Sequence, residues 1–254
     1  MSLSVICWLM GGEHLASISI RDERLLHTKS GNRCALCGIL LVERSVCIGE
    51  NAHIYGEKPS AARYDPSKQV EFVNSEQNLI FLCCNCHKIV DTEFSEYPPE
   101  RLLSIKTEHE SKVVKALQQG AVQYTYAELQ VITSFLAQMS GKAIGDANYH
   151  LLRLPDKIHK NQLTDVQGYI DMGLLSVSQI GEYFNNHPDP SFADKLTSIF
   201  VERYFALKNE DTDPVSIFNA LWEFACNGHE DYSYRSAGLA ILVYFFEKCE
   251  VFEK

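Results

Sequence analysis

Cys34-Ala35-Leu36-Cys37-Gly38 and Cys83-Cys84-Asn85-Cys86-His87 decide how this chain is read. Forty-five residues separate Cys37 from Cys83. A CxxC turn sets two thiolates on one side of a tight knuckle, which is half of a tetrahedral zinc shell; a second knuckle closes the shell as a four-cysteine structural site. One knuckle is weak evidence, and the pair is strong. Cys34, Cys37, Cys83 and Cys86 are therefore the expected ligands of a structural Zn2+, against the competing reading of four ordinary buried thiols. Cys84 lies inside the second knuckle, but the two-residue spacing favours Cys83 with Cys86. Cys47 is a spare, and Cys7, Cys226 and Cys249 read as core or surface thiols. Nine cysteines, an odd number without a secretion signal, point to a metal site in a reducing cytosol and not to a disulfide framework. A structural zinc contributes on the order of 10 kcal/mol to a small, loop-rich domain.

Upstream, Glu13 to Thr28 carries apolar residues at helical spacing and predicts a lead-in helix. Ser30-Gly31-Asn32-Arg33 is a turn that delivers the first knuckle. Leu40 to Ile48 has strand character, and Glu50-Asn51-Ala52-His53-Ile54 forms the next strand. Tyr55 to Val73 is a long polar connection; loops of this length are usually functional. Asn78 to Asp91 starts extended and ends as the first turns of a helix. Pro98 to Leu117 reads as a trailing helix, with proline suited to its first turn. Gln118-Gln119-Gly120 marks a domain boundary, dividing residues 1–118 from 121–254. Beyond it helices are expected near 126–140, 162–173, 176–185, 190–208, 214–227 and 233–249. No internal repeat or low-complexity segment is visible.

Composition sets the class. Of 254 residues, 46% are apolar and 22% charged, as in globular proteins. The longest apolar stretch, Ala237 to Phe246, is too short to cross a bilayer. No membrane association and a cytoplasmic location are expected. Met1 to Met10 lacks the basic region and cleavage site of a signal peptide; a frayed start, or a start codon upstream of the true one, is the expectation. The net charge of −10 argues against a nucleic-acid binder. It is unevenly spread, however. Through Leu117 there are 13 basic and 15 acidic residues, and afterwards 10 and 18. The near-neutral first half can hold a local basic patch, whereas the acidic second half suits a protein partner.

Hydrolysing a phosphodiester requires a base for water, neutralisation of developing charge, and help for the leaving oxygen. Imidazole, a neutral-pH base, can do the first. A metal ion held by histidine and carboxylate can do the other two. An asparagine can pin the loop that bears the base. His53, Asn78 and His87, placed around the knuckles, supply these types.

Those residues resemble the HNH, or ββα-metal, endonucleases, and most closely their bacterial defence and restriction branch. The match runs from Arg24 to about Ser111 through Ser30-Gly31-Asn32-Arg33-Cys34, Gly49-Glu50-Asn51-Ala52-His53-Ile54, Ala61-Ala62-Arg63-Tyr64-Asp65, Asn78-Leu79-Ile80, Leu82-Cys83, Cys86-His87, Val90-Asp91 and Lys106-Thr107-Glu108-His109-Glu110. The resemblance implies an α+β chain: a zinc-containing ββα-metal domain, then an all-α helical domain. It implies His53 as general base, Asn78 as the brace of its loop, and His87 as a ligand of catalytic Mg2+ or Mn2+. Many HNH enzymes carry Asp before the base as a ligand; here it is Ala52, an alanine the defence branch shares. Glu50 and Asp91 are the carboxylates nearby that could complete the shell, each with a structural role as the competing reading. His109 reads as structural; His14, His27, His150, His159, His187 and His229 read as surface or packing residues. Lys58, Arg63 and Lys68 are candidates for phosphate contacts. No helix has the face needed for base readout, so low specificity is expected.

The second half resembles C-terminal domains of effectors in bacterial ABC three-component systems, a group that includes Lamassu-type phage defence. Pro155 to Thr164 and Tyr244-Phe245-Phe246-Glu247-Lys248-Cys249 carry that likeness. It implies an SMC-like ABC ATPase and a small middle subunit as partners, with DNA as substrate; a homo-oligomer stays open. The apolar ending, Ala237 to Glu253, must pack on its own domain or a partner's. The alternative to a nuclease is a catalytically weak zinc fold that binds nucleic acid or protein. RNA or single strands are a third reading, because a ββα-metal core grips the backbone.

Overall fold

The computed structural model describes residues 17–43, 46–139, 154–210, 212–248 and 252. Cys7, His14, His150 and Cys249 lie outside them, as do all of residues 1–16 and the expected helix stop at Gly141. Helix α1 (Ile20–Lys29) begins where the Ser19 hydroxyl accepts from the Asp22 amide, with Asp22 and Glu23 in its first turn and His27 and Lys29 in its last. Both charge placements suit the helix dipole. Gly31 and Asn32 then take positive φ, 60° and 58°, and turn the chain into the first knuckle.

The stretch Leu40 to Ile48 is not one strand. It is a small hairpin, β1 (Val42–Glu43) against β2 (Val46–Cys47). Strand β3 (Gly49–His53) pairs antiparallel with β4 (Leu79–Cys83), Glu50 opposite Leu82 and His53 opposite Leu79. Between them the long connection contains a four-residue helix, α2 (Val70–Val73), and a 3-10 turn, Glu76–Asn78. Helix α3 (Cys84–Thr92) starts directly at the end of β4, capped by the Cys83 sulfur, which accepts from the Cys86 amide. Two strands and a helix thus follow in the ββα order.

Helix α4 (Pro99–Gln123) spans the expected boundary. It runs unbroken through Gln118-Gln119-Gly120. Gly120 is there for close approach and not for a break: a Cβ on it would stand 2.6 Å from the Tyr232 carbonyl oxygen. The helical part follows as α5 (Tyr126–Leu136), α6 (Leu154–Lys160), α7 (Gln167–Leu174), α8 (Val177–Asn185), α9 (Phe192–Asn209), α10 (Pro214–Cys226) and α11 (Tyr232–Glu247). The helix expected over 162–173 is a 3-10 turn, Thr164–Val166, leading into α7, with α6 ahead of it. Helix α11 is the axis. Every residue from Arg235 to Val243 is buried, and it packs on α4, α5, α7, α8 and α10. The apolar ending, from Ala237 to Phe246, therefore packs into the core of its own domain.

Among the described residues there are two cores. The smaller holds Leu26, Leu41, Ile54, Leu79 to Cys83, Val90 and Leu102; the larger holds the helical part plus Leu25, Val113 and Leu117. Successive residues on a helix point about 100° apart. Leu25 and Leu26 thereby feed different cores from one turn of α1, and α4 does the same along its length. Contacts follow the same seam. Arg24 Nη1 donates to the Ser216 carbonyl at 3.0 Å, Asn32 Nδ2 to Glu230 at 3.3 Å, and Ser236 Oγ to the Leu117 carbonyl at 2.8 Å. Arg21 pairs with Asp165.

Candidate functional site

The four knuckle sulfurs, of Cys34, Cys37, Cys83 and Cys86, lie within 4.8 Å of one another. Cys37 and Cys83 are 3.9 Å apart. A tetrahedral zinc at about 2.3 Å from sulfur sets sulfurs about 3.8 Å apart, so the cluster is suited to zinc, whereas a disulfide needs about 2.05 Å. Local folding aims the thiols. Gly38 takes φ 76° to close the first knuckle, and the Cys34 amide donates to the Ile39 carbonyl at 2.9 Å. Burial raises the Cys34 thiol, but hydrogen bonding at Cys37, Cys83 and Leu36 outweighs it and lowers the net value. Burial pushes Cys86 far up, reinforced by its three sulfur neighbours, and Cys37 is raised as well, also first by burial. Four thiols this close can share little negative charge without a cation. Cys47 and Cys84 are exposed and outside the cluster.

A second constellation sits at the open end of β3. His53, Glu57, Lys58, Arg63, His87 and Asp91 line one cleft of about 210 Å³. His87 Nδ1 meets Glu50 Oε2 at 2.5 Å, and its Nε2 faces Asp91 Oδ2 at 3.3 Å. His87 and Asp91 are four residues apart on α3, hence on one face. Glu50 and Ala52 share a face of β3 by the two-residue strand period. Ala52 is 0% exposed, and Glu50, two residues back, supplies the carboxylate that this face of the strand offers to His87.

Asn78 is fully buried and stitches the strand end. Its Nδ2 donates to the Tyr55 and Val73 carbonyls at 3.0 and 2.9 Å, and its Oδ1 accepts from the Tyr55 amide at 2.9 Å. Arg63 overturns its expected role. Its side chain is 3% exposed, not a solvent-facing phosphate contact. It donates to the Ile54, Val90 and His53 carbonyls at 2.9, 2.6 and 3.2 Å and to Asp91 Oδ1 at 2.5 Å. Lys68 packs over the rings of Tyr55 and Phe72, 4.5 and 5.6 Å from their centroids. Only Lys58 of the three basic candidates lines the cleft while exposed. His109 Nε2 donates to the Ser30 carbonyl, 2.9 Å away, and burial lowers its pKa; it is a structural histidine.

Two residues behind His53, Glu57 in the cleft wall and the buried Asn74, carry no signal in the sequence. Asn74 Oδ1 lies 3.0 Å from His53 Nε2, and Asn74 Nδ2 lies 3.4 Å from Glu57 Oε1. Both sit in or just after the long polar connection, where no spacing rule singles out a residue. A third support is Glu76, buried between Lys29 at 2.9 Å and Lys106 at 2.6 Å, with its amide donating to Asp22 at 2.9 Å. Burial pushes its carboxyl up, but Lys106 and then Lys29 outweigh this and hold it below the usual value.

Comparison with known families agrees with this layout. Residues 34–93 match the HNH endonuclease family, from the first knuckle to the end of α3. Residues 127–253 match C-terminal domain 10 of the ABC-three component systems. No curated protein matches the chain. The second match covers half of the residues. The chain belongs to the family of C-terminal domain 10 of the ABC-three component systems, and it carries an HNH endonuclease domain ahead of that domain.

Proposed function

We propose that the protein is a metal-dependent endonuclease that hydrolyses DNA phosphodiester bonds with low sequence specificity, as the cutting subunit of a multi-subunit defence system. The observation that carries this reading is the shared cleft, which His53 lines together with the His87–Asp91 pair. His53 takes the proton from water. Asn78 keeps the strand end in place through Tyr55. Arg63 grips Asp91 by Oδ1 and leaves Oδ2 toward His87. The donor set, imidazole and carboxylate oxygen, suits a divalent ion. His87 and Asp91 would hold Mg2+ or Mn2+, with Glu50 orienting His87 from its other nitrogen. When bound, that ion supplies charge neutralisation at the phosphate and at the leaving oxygen. Zn2+ in the four-cysteine cluster would hold β4 and α3 in register beneath the cleft.

The helical half docks this nuclease to its partners, an SMC-like ABC ATPase and a small middle subunit, and sets when it cuts. Support comes from the shared helices α1 and α4 and from Asn32, which ties the turn before the first knuckle to Glu230. A shift of the α10–α11 connection would reach the zinc knuckle through that contact. The test is plasmid cleavage with Mg2+ or Mn2+, with and without the partner subunits, beside His53→Ala. Cleavage by wild type and its loss in the variant is expected. Equal inertness of both with partners present would defeat the nuclease reading and leave a zinc-fold binding module.

A further inference from the structure

The amide of Asn74 stands between a carboxylate and the imidazole of His53, and its direction can be deduced. Asn74 Nδ2 lies 3.4 Å from Glu57 Oε1, and Asn74 Oδ1 lies 3.0 Å from His53 Nε2. A carboxylate accepts hydrogen bonds and does not donate them, so the edge of the amide facing Glu57 is its NH2 group. The opposite edge is then the oxygen, which also only accepts. His53 Nε2 must therefore carry the proton. A neutral imidazole has one N–H, and Nδ1 is left with its lone pair.

We propose that Glu57 and Asn74 are positioning residues which lock His53 in the Nε2–H tautomer, so that Nδ1 is the atom that accepts the proton of water. The inference rests on the nuclease reading for its use, but not for its measurement. Asn74 is 6% exposed, so water does not compete for either edge of its amide. Its backbone is fixed as the cap of α2, with its amide donating to the Val70 carbonyl at 3.1 Å. Asn78 anchors the same loop one turn later through the Val73 carbonyl. Glu57 and His53 line the one cleft. The other tautomer would point an N–H at the water and provide no base. Which ring nitrogen carries the proton is set by the partner of the other, and here that partner is Asn74.

Glu57→Gln is the discriminating variant. Its amide can donate as well as accept, so the direction of the chain is no longer imposed and Asn74 can flip to donate to His53 Nε2. The full-length, zinc-loaded protein, labelled at histidine nitrogens, is examined by long-range proton–nitrogen NMR without DNA, with His53→Ala assigning the signal. Wild type should show Nε2–H. Glu57→Gln should show the Nδ1–H form, alone or in mixture, and Glu57→Asp should restore Nε2–H. In plasmid cleavage kcat should fall about 10²-fold in Glu57→Gln, with KM within about twofold, and recover largely in Glu57→Asp. Nδ1–H in wild type, or an unchanged Nε2–H signal and rate in Glu57→Gln, would overturn the proposal. A wild type inert on DNA would count against the nuclease reading alone, because the tautomer is read without substrate.

Discussion

Lys157 Nζ donates to the carbonyl oxygen of Phe246 at 2.6 Å, inside the helical core. The ammonium also stands 4.5 Å from the centroid of the Phe246 ring. The last carbonyls of a helix lack intrahelical donors, and a cation there also meets the negative end of the dipole. The lysine thus closes the C-terminal end of α11. Pro155 to Thr164 and Tyr244 to Lys248, stretches far apart in the sequence, meet in the fold through Lys157 and Phe246. Lys157→Met keeps the apolar stem and removes the charge. It should cost about 1.5–3 kcal/mol, the range for a hydrogen bond to a charged group. Urea unfolding measures this; an unchanged midpoint would show that the contact contributes nothing.

Glu76 makes stability depend on acid. Its folded pKa is lowered by Lys106 and Lys29 against the effect of burial. A depressed carboxyl stabilises the fold above its unfolded value, and that contribution drains away as pH falls through the folded value. Glu76→Gln mimics the protonated state and leaves buried Lys106 with Glu110, 2.7 Å away, as its carboxylate partner, at about 1.5–3 kcal/mol near neutral pH for the charged hydrogen bonds lost. The difference between wild type and variant should shrink below about pH 4 and vanish at lower pH. A difference that stays constant from pH 7 to pH 3 would show that the Glu76 charge is not what matters.

Zinc removal should separate the two cores. The smaller core contains Cys34, Cys83 and Cys86 themselves, and its strands are short. Cys34→Ser should lose bound metal by elemental analysis and lose the ordered knuckles. The larger core draws on none of these cysteines, so most of the helical circular dichroism should survive. A well-folded, zinc-replete Cys34→Ser protein would refute the four-cysteine assignment.

The knuckles were legible because their chemistry is written in spacing: a CxxC turn fixes geometry within four residues. His53, His87 and Asp91 were legible through motif context, and α3 brings the last two together by its own period. What escaped was carried by tertiary structure. Arg63 looks like any cation in a polar loop, and only its positive φ of 59° and four acceptors make it a staple. Asn74 and Glu57 gain meaning only once the loop folds back on β3. Gln118-Gln119-Gly120 has the composition of a linker, yet α4 continues through it and Gly120 packs closely against Tyr232. Alternation also misled: Leu40 to Ile48 has a strand pattern, but the chain folds back within it as a hairpin.

Arg63 offers a test of staple against phosphate contact. Arg63→Lys cannot reproduce three carbonyl contacts and a carboxylate pair, because lysine is a point charge without the planar fork. It should lose about 1–3 kcal/mol of stability in the absence of DNA. A phosphate contact instead would leave the free protein unchanged and, in Arg63→Ala, reduce the slope of log affinity against log salt by about one unit. We expect that slope to be unaltered where the variant is folded. Fluorescence anisotropy across a salt series decides between them.

Gly120→Ala tests whether the two halves are tethered or fused. At a flexible boundary alanine in place of glycine is neutral or stabilising by about 0.4–1 kcal/mol, since it restricts the unfolded chain. Within α4 alanine is also the better helix former. The packing points the other way. The added Cβ would lie 2.6 Å from the Tyr232 carbonyl oxygen and 2.7 Å from Ser236 Oγ, and Ser236 already donates to Leu117 across the same crossing. Helix α4 or α11 would have to move, at about 1–3 kcal/mol by analogy with overpacked cores. Because α4 enters both cores, a lowered unfolding temperature should appear in the helical signal and in zinc retention together. A Gly120→Ala protein as stable as wild type would show that α4 and α11 do not meet this closely, and would favour a flexible boundary at residues 118–120.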